Sequence, residues 1–329
     1  MAHRIAFIGF GGVGQGLADI ILDQGKELKE KEGLDLQKVF ETIHSTGALN
    51  EYPESPGLIK GLDSLQTIKQ TNADTIVEVT FTDVRTGQPA IDHCKAAFQS
   101  GKNVVTTNKG PIALAYRGLS KLAEEKGVFF GFEGTVMSGT PALRMPLTAL
   151  AGNEITEIRG IFNGTSNYML TRMEEGSSFD GALKEAQDNG FAEADPTNDI
   201  EGYDVRYKVV ILANYVMGLQ IMVEDVSCKG ISHLTAQDMD AAKLNGERWK
   251  LIGTIKKENG NVKACVGPER IPLTDPLASI TGAINAVTYT CNLAGPITLA
   301  GAGAGLKETG FSLLIDLIHF HRAKKAVTT

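Results

Sequence analysis

RIAFIGFGGVGQGLADIILDQGKELKE, residues Arg4 to Glu30, is the stretch that decides the fold. Arg4-Ile5-Ala6-Phe7-Ile8 is a short apolar run of the kind a buried strand shows. It meets Gly9-Phe10-Gly11-Gly12-Val13-Gly14, in which Gly9, Gly11 and Gly14 satisfy G-x-G-x-x-G. Gln15 to Glu30 then reads as a helix with Leu17, Ile20, Ile21 and Leu28 as its apolar positions. Strand, glycine turn and helix in that order are the context a dinucleotide-binding fingerprint requires. Gly9 permits the tight turn, Gly11 lets backbone approach a pyrophosphate, and Gly14 allows close helix–strand packing. Gly12 and Val13 complete the turn, and the helix N-terminus offers N–H groups and a positive dipole end to phosphates.

The second strand is predicted from Lys38 to Ile43, running into His44-Ser45-Thr46. A site that prefers NAD usually has an acid there to bond the ribose 2′-OH. None is present; Glu41 lies within the strand and Asp35 before it. A 2′-phosphate meets no repulsion, and His44 and Ser45 could donate to one. NADP is therefore expected to serve at least as well as NAD. Strands and helices keep alternating: Ala73–Thr80, helix Gln88–Ser100, strand Asn103–Thr106, helix Ile112–Lys126 and strand Val128–Phe132. That alternation predicts an α/β fold with a doubly wound parallel sheet. Ligands gather at the carboxyl ends of such strands, where Thr80, Thr82, Thr107, Asn108 and Lys109 fall.

After about residue 135 the texture changes to α+β. Glu154–Phe162 is strand-like, Asn163–Asn167 a turn, and Tyr168–Met173 a helix. An apolar helix is expected from Lys208 to Gly218, and strands over Trp249–Ile255 and Asn261–Val266. Gly301, Gly303 and Gly305 imitate a second fingerprint, but no further alternating half follows. They read as a loop closing against the first site, leading into a helix from Leu306 to Arg322. The expected divisions are a Rossmann domain over 1–135, a second α+β domain for substrate and dimerisation over 136–300, and a glycine loop and helix over 301–329 packing back on the nucleotide domain.

Composition fits a cytoplasmic enzyme. The 329 residues suit two domains, and a formal net charge of −7 argues against nucleic-acid partners. Cys94, Cys228, Cys265 and Cys291 are far apart and form no zinc pattern, as in a reducing compartment. Gly9 and Gly11 interrupt the first apolar run too soon for a cleavable signal, and no apolar run approaches ~18 residues, so no membrane span is expected.

The chemistry is expected in Ala186 to Lys208, AQDNGFAEADPTNDIEGYDVRYK. Gly190, Pro196 and Gly202 punctuate Glu193, Asp195, Asp199, Glu201 and Asp204. Gly and Pro hold backbone angles that other residues resist, so this is a shaped loop entering a helix. Asp204 and Lys208 stand at i and i+4 on one helix face, close enough to pair. A lysine held by an aspartate beside further carboxylates can bind an ammonium group and handle a proton. A solvated acidic turn before an amphipathic helix accounts for the same residues equally well.

Asn163-Gly164-Thr165-Ser166-Asn167-Tyr168, followed by Gly190-Phe191-Ala192, Asp195-Pro196, Asp199-Ile200, Gly202, Asp204 and Lys208, resembles the homoserine dehydrogenase family. Thr107-Asn108-Lys109 is similar to its strand-end lysine motif, and Gly301–Gly305 with Thr309 to its C-terminal GxGAGxxxT. The resemblance covers nearly the whole chain and implies the short monofunctional form, without a kinase half or a regulatory domain. It implies NAD(P)-linked interconversion of L-homoserine and L-aspartate 4-semialdehyde, a step in threonine and methionine biosynthesis. Lys208, oriented by Asp204, and Lys109 are then the candidates facing the developing alkoxide and its proton. The resemblance also implies that Glu193 and Asp199 bind the substrate's polar groups, with Thr165 in the substrate loop. Gly303 and Gly305 join Gly9, Gly11, Gly12, Val13, Gly14, His44, Ser45, Thr80, Thr107, Asn108 and Lys109 as cofactor-binding positions. Glu133, Val136, Ser138 and Thr140 match a loop that holds a monovalent cation such as Na+ in the family, and oxygen-only ligation suits a hard ion. A homodimer is implied, with Ile155 and Ile161 as apolar strand positions that either an interface or a core explains. Another Rossmann amino-acid dehydrogenase, such as an aspartate dehydrogenase, and a catalytically silent dinucleotide-binding regulator are the alternatives. The first would not need the Asp195 to Lys208 constellation, and the second would be free to lose Lys109 or Lys208.

Overall fold

The structure, a computed structural model, describes residues 2–39, 63–258 and 260–328. In chain order come β1 (His3–Ile8), α1 (Gly12–Glu32), β2 (Leu36–Val39), α2 (Ser64–Gln70), β3 (Thr75–Glu78), α3 (Ala90–Gln99), β4 (Asn103–Thr106), α4 (Lys109–Lys126), β5 (Phe130–Gly131) and α5 (Gly134–Met137). They are followed by α6 (Arg144–Thr148), β6 (Ile155–Ile161), α7 (Gly164–Glu174), α8 (Phe179–Asp188), α9 (Thr197–Ile200), α10 (Tyr203–Ile211), β7 (Ser227–Cys228) and α11 (Ala236–Leu244). The chain closes with β8 (Glu247–Glu258), β9 (Asn261–Pro272), β10 (Ile284–Cys291), β11 (Gly295–Ala302) and α12 (Leu306–Thr328). It divides into two compact units, Met1–Gly139 with Gly305–Thr329, and Thr140–Ala304.

In the first unit the described strands form one parallel sheet in the order β2-β1-β3-β4-β5. Strand side chains alternate between faces, and β1 shows the result. Ile5 and Phe7 join Leu17, Ile20 and Ile21 of α1 and Leu313, Leu314, Leu317 and Ile318 of α12 in one core. Ala6 and Ile8 join Cys94, Ala97 and Phe98 of α3 and Leu119 of α4 in another. A strand buried on both faces reads as an unbroken apolar run, which is why β1 does. Helix α12 lies close against α1: a Cβ on Gly310 would stand 2.6 Å from Gly16 backbone, so the two helices touch main chain to main chain.

Several boundaries differ from expectation. Helix α4 begins at Lys109 rather than Ile112, which makes the strand-end lysine its first residue. Strand β3 covers only Thr75–Glu78. The second strand is Leu36–Val39, and the rest of the predicted segment, with His44, Ser45 and Thr46, lies outside the described residues.

The second unit carries a mixed sheet in the order β11-β10-β6-β8-β9-β7 among the described residues. Neighbours from β11 through β9 pair antiparallel, and β7 runs parallel to β9. The predicted turn Asn163–Asn167 is instead the start of α7: the Asn163 side chain accepts from the Ser166 N–H, a cap that turns small polar residues into a first helical turn. The expected helix from Lys208 to Gly218 is α10 followed by a π-helical turn, Leu212–Val216. Helices α8 and α11 and strand β10 were not anticipated. Ile155 and Ile161 are 8% and 1% exposed, so core burial within the chain is what uses them, and they offer no free apolar surface. Among the described residues, no helix is long and apolar enough to cross a membrane.

Candidate active site

In the first unit the glycine turn closes against β3 and opens the N-terminus of α1. Gly9 has φ +86°, and a Cβ there would lie 2.7 Å from the Val79 carbonyl oxygen, so only glycine fits both the angle and the approach to β3. Gly11 occupies the N-cap of α1 without a side-chain cap, and a Cβ added to it meets nothing within 4 Å. The Gln15 N–H bonds the Gly11 carbonyl at 3.0 Å, so the amides ahead of it belong to the unsatisfied first turn. Open space over unsatisfied N–H groups is what a pyrophosphate fits. A Cβ on Gly14 would come within 3.4 Å of Gly9 O, Phe10 and Val79, so the turn packs closely there. Gly12 faces elsewhere: its missing side chain makes room for Leu306, 2.6 Å from the Cβ position.

The ends of β3 and β4 lie on the same sheet. Thr80, Thr107, Asn108 and Lys109 are half-buried there. Their organiser is Glu78, which is fully buried. Its Oε1 accepts from the Thr80 hydroxyl at 2.5 Å and lies 3.2 Å from His93 Nδ1. Its Oε2 accepts from the Thr106 hydroxyl at 3.1 Å and Asn108 Nδ2 at 2.5 Å. Sequence reasoning passed over Glu78; the signal was a lone carboxylate inside an apolar strand, a costly arrangement without donors around it.

The second unit gathers the acidic motif around α7 and α10. Lys208 is 6% exposed, and its Nζ donates to Asp204 Oδ2 at 2.7 Å and to the Phe162 carbonyl at 2.6 Å. Asn163 Nδ2 donates to Asp199 Oδ1 at 2.6 Å and to Asp204 Oδ2 at 3.1 Å. One amide thus holds two carboxylates and, through Asp204, the lysine. Asn163 was absent from the expected site residues, although its place before a helix marked it as a cap. Gly202, at φ +78°, separates α9 from α10 and puts Asp204 in the first turn of α10, where a negative charge is favoured by the helix dipole. Thr165 donates to the Phe191 carbonyl at 2.6 Å and so fixes the loop that carries Glu193. Glu193 itself is exposed.

The remaining expected positions fall at the chain's crossings between units. Glu133 is 4% exposed at the start of α5, and its N–H donates to Asp316 Oδ2 at 3.0 Å. Ser138 has φ +52°, the one positive φ of a non-glycine among the described residues, and its hydroxyl lies 2.8 Å from that of Thr309. Thr140 belongs to the second unit and donates to the Ala302 carbonyl at 3.2 Å. Gly303 leaves space for the buried amide of Asn285, and Gly305, in the first unit, sits against Glu308 at φ +138°. Among the described residues no group of three or more His, Cys, Asp or Glu could hold a metal.

A parallel sheet whose first strand runs through a glycine turn into a helix, with a second unit that buries a lysine on an aspartate, is the arrangement of a dinucleotide-linked dehydrogenase of two units. A family model described as homoserine dehydrogenase matches residues 141–318. A Pseudomonas canavaninivorans protein named NAD(+)-dependent homoserine dehydrogenase is 45% identical, over 98% of this chain and 97% of that one. A solved structure of a putative homoserine dehydrogenase from Archaeoglobus fulgidus is 35% identical, superposes with a TM-score of 0.87, and covers 97% of this chain and 99% of that one. A mutant homoserine dehydrogenase from a hyperthermophilic archaeon, solved in complex with NADPH, is 28% identical with a TM-score of 0.79, over 97% of each chain. The chain belongs to the homoserine dehydrogenase family.

Proposed function

We propose that the chain interconverts L-homoserine and L-aspartate 4-semialdehyde with NAD or NADP, the step that feeds threonine and methionine biosynthesis. The observation that carries this reading is the buried Lys208–Asp204 pair, tied to Asp199 through Asn163. The nicotinamide ring, when bound, accepts or supplies the hydride. Everything else falls to side chains of this chain. The first turn of α1, with Gly11 to Gly14, holds the pyrophosphate. Lys208 faces the substrate oxygen as a fixed charge, stabilising the alkoxide as it forms. Asp204 keeps Lys208 aimed, and Lys109 is the second group able to move the proton. Asp199 and Glu193 take the substrate's ammonium group, and Thr165 shapes the loop beside them. The sequence assigns the 2′ position to the run that holds His44 and Ser45, where no carboxylate repels a phosphate, so NADP is accepted at least as well as NAD. Thr80, Thr107, Asn108, Gly303 and Gly305 line the cofactor.

Glu133, Val136, Ser138 and Thr140 would hold one monovalent cation. The positive φ of Ser138 supports this, because it turns successive backbone carbonyls in directions an ordinary turn does not. The protein works in the cytoplasm as a homodimer through its second unit. The deciding experiment is homoserine oxidation with each cofactor, read at 340 nm, beside aspartate as the competing substrate. Turnover of aspartate in preference to homoserine would replace this reading by an aspartate dehydrogenase. No turnover of either, with cofactor still bound, would leave a silent regulator.

A further inference from the structure

We propose that Glu78 is a positioning residue for the reaction, setting Lys109 through Asn108; this rests on the reading of Lys109 as a proton-handling group. Asn108 stands at the N-cap of α4, where an asparagine normally accepts a hydrogen bond from the first turn. It makes no such cap. Its side chain is turned the other way and used as a donor, to Glu78 Oε2 at 2.5 Å and the Thr80 carbonyl at 3.0 Å. Its backbone N–H donates to the Thr106 hydroxyl at 3.1 Å, and that hydroxyl in turn donates to Glu78. Asn108 is therefore gripped at both ends by one buried carboxylate and its ring of donors. Lys109 follows it directly as the first residue of α4.

An apolar residue at 78 would serve the strand as well, since Ile76 and Val77 beside it are fully buried. A buried carboxylate is tolerated only when donors surround it, and here the donors come from three places. Thr80 belongs to the loop after β3, Thr106 and Asn108 to the end of β4, and His93 to α3, its other ring nitrogen 2.8 Å from the Ser64 hydroxyl of α2. Glu78 fastens together the two strand ends on which the first unit carries its reactive lysine. A glutamine there keeps the shape but turns an N–H2 toward groups that already donate.

The test is a cycle of Glu78→Gln, Lys109→Ala and the double variant, with kcat and homoserine KM measured at saturating cofactor. Glu78→Gln is expected to lower kcat at least tenfold while KM stays within about threefold. The double variant should be no more than about twofold slower than Lys109→Ala, because a residue acting only through Lys109 has nothing left to act on. A merely structural role would multiply the two losses, and that result would overturn the proposal, as would a normal kcat in Glu78→Gln. Asn108→Ala, which cuts the link and leaves the carboxylate in place, should show the same pattern alone and in combination; it decides the matter if Glu78→Gln does not fold. A normal rate in Lys109→Ala alone would remove the underlying reading and this inference with it, whereas a slow Lys109→Ala with multiplied losses would remove the inference only.

Discussion

Lys250 gives a prediction whose size comes directly from the structure. It lies on β8 at 1% exposure, donating to Asn167 Oδ1 at 3.0 Å and to the Ile280 carbonyl. Burial lowers its pKa from 10.5 to about 8, with Glu174 opposing the fall and Arg248 adding to it. Two acceptors match the two N–H groups of a neutral amine, so losing the proton need not break either bond. Between pH 8 and 10.5 the unfolded chain holds more protons than the folded one, so stability rises with pH across that window. Below pH 8 the charge is carried buried at full cost. The gap from 10.5 to about 8 corresponds to about 3 kcal/mol at ~1.36 kcal/mol per pH unit. Lys250→Met removes the titration but leaves Asn167 Oδ1 without its Lys250 donor, at about 1–3 kcal/mol, and leaves the Ile280 carbonyl with the long bond from Asn167 Nδ2 at 3.3 Å. Its stability at pH 7 should therefore lie near or below that of the parent, and only the difference between the two as pH changes is diagnostic. That difference should move by about 3 kcal/mol in the parent's favour from pH 7 to 10.5. The direct assay is NMR titration of 13Cε-labelled lysines, with Lys250→Met identifying the resonance. A Lys250 signal titrating at its ordinary value, with a flat stability difference, would refute the argument.

Other outcomes follow from the two clusters. Lys208→Ala should cost a hundredfold or more in turnover, on the order of losing one oxyanion donor, while cofactor titration is unchanged; near-normal turnover would move Lys109 to the front. Asp204→Asn should be milder, because Asn163 still holds that position, and a loss equal to that of Lys208→Ala would give Asp204 a direct role. Gly11→Val should abolish cofactor binding without lowering the unfolding midpoint, since a Cβ there meets no protein atom within 4 Å; unimpaired NADH titration would displace the pyrophosphate from this turn. Exchange into a tetramethylammonium buffer should reduce turnover and added Na+ restore it in the parent but not in Glu133→Gln, and identical rates in both buffers would dismiss the cation.

The first unit was legible because its strands are buried on both faces and its glycines sit where only glycine serves. Ile5 to Ile8 could hardly be read as anything but a strand. Asp204 and Lys208 were legible for a similarly local reason: a four-residue spacing is one helical turn whatever surrounds it. What escaped reading depended on partners distant in sequence. The polar run Asn163 to Asn167 has turn-forming composition, yet it is helical because its own cap and the surrounding core prefer it so. Strand β10 shows its pattern only once β6 and β11 flank it, and the π turn after Ile211 has no compositional mark at all. Glu78 looked like a stray acid, because the threonines and the asparagine that justify it lie on other segments.

The division of the first unit into two stretches of chain has a consequence for synthesis. Everything from Thr140 to Ala304 leaves the ribosome before α12 does. At ~5–20 residues per second this is on the order of ten seconds. Throughout that interval Leu17, Ile20 and Ile21 lack Leu313, Leu314 and Leu317, the side chains that later share their core. The intervening unit is one continuous stretch and can close on its own schedule. The half of the protein that begins first is thus the one that finishes last, and its uncovered helix is the surface a nascent-chain chaperone would meet.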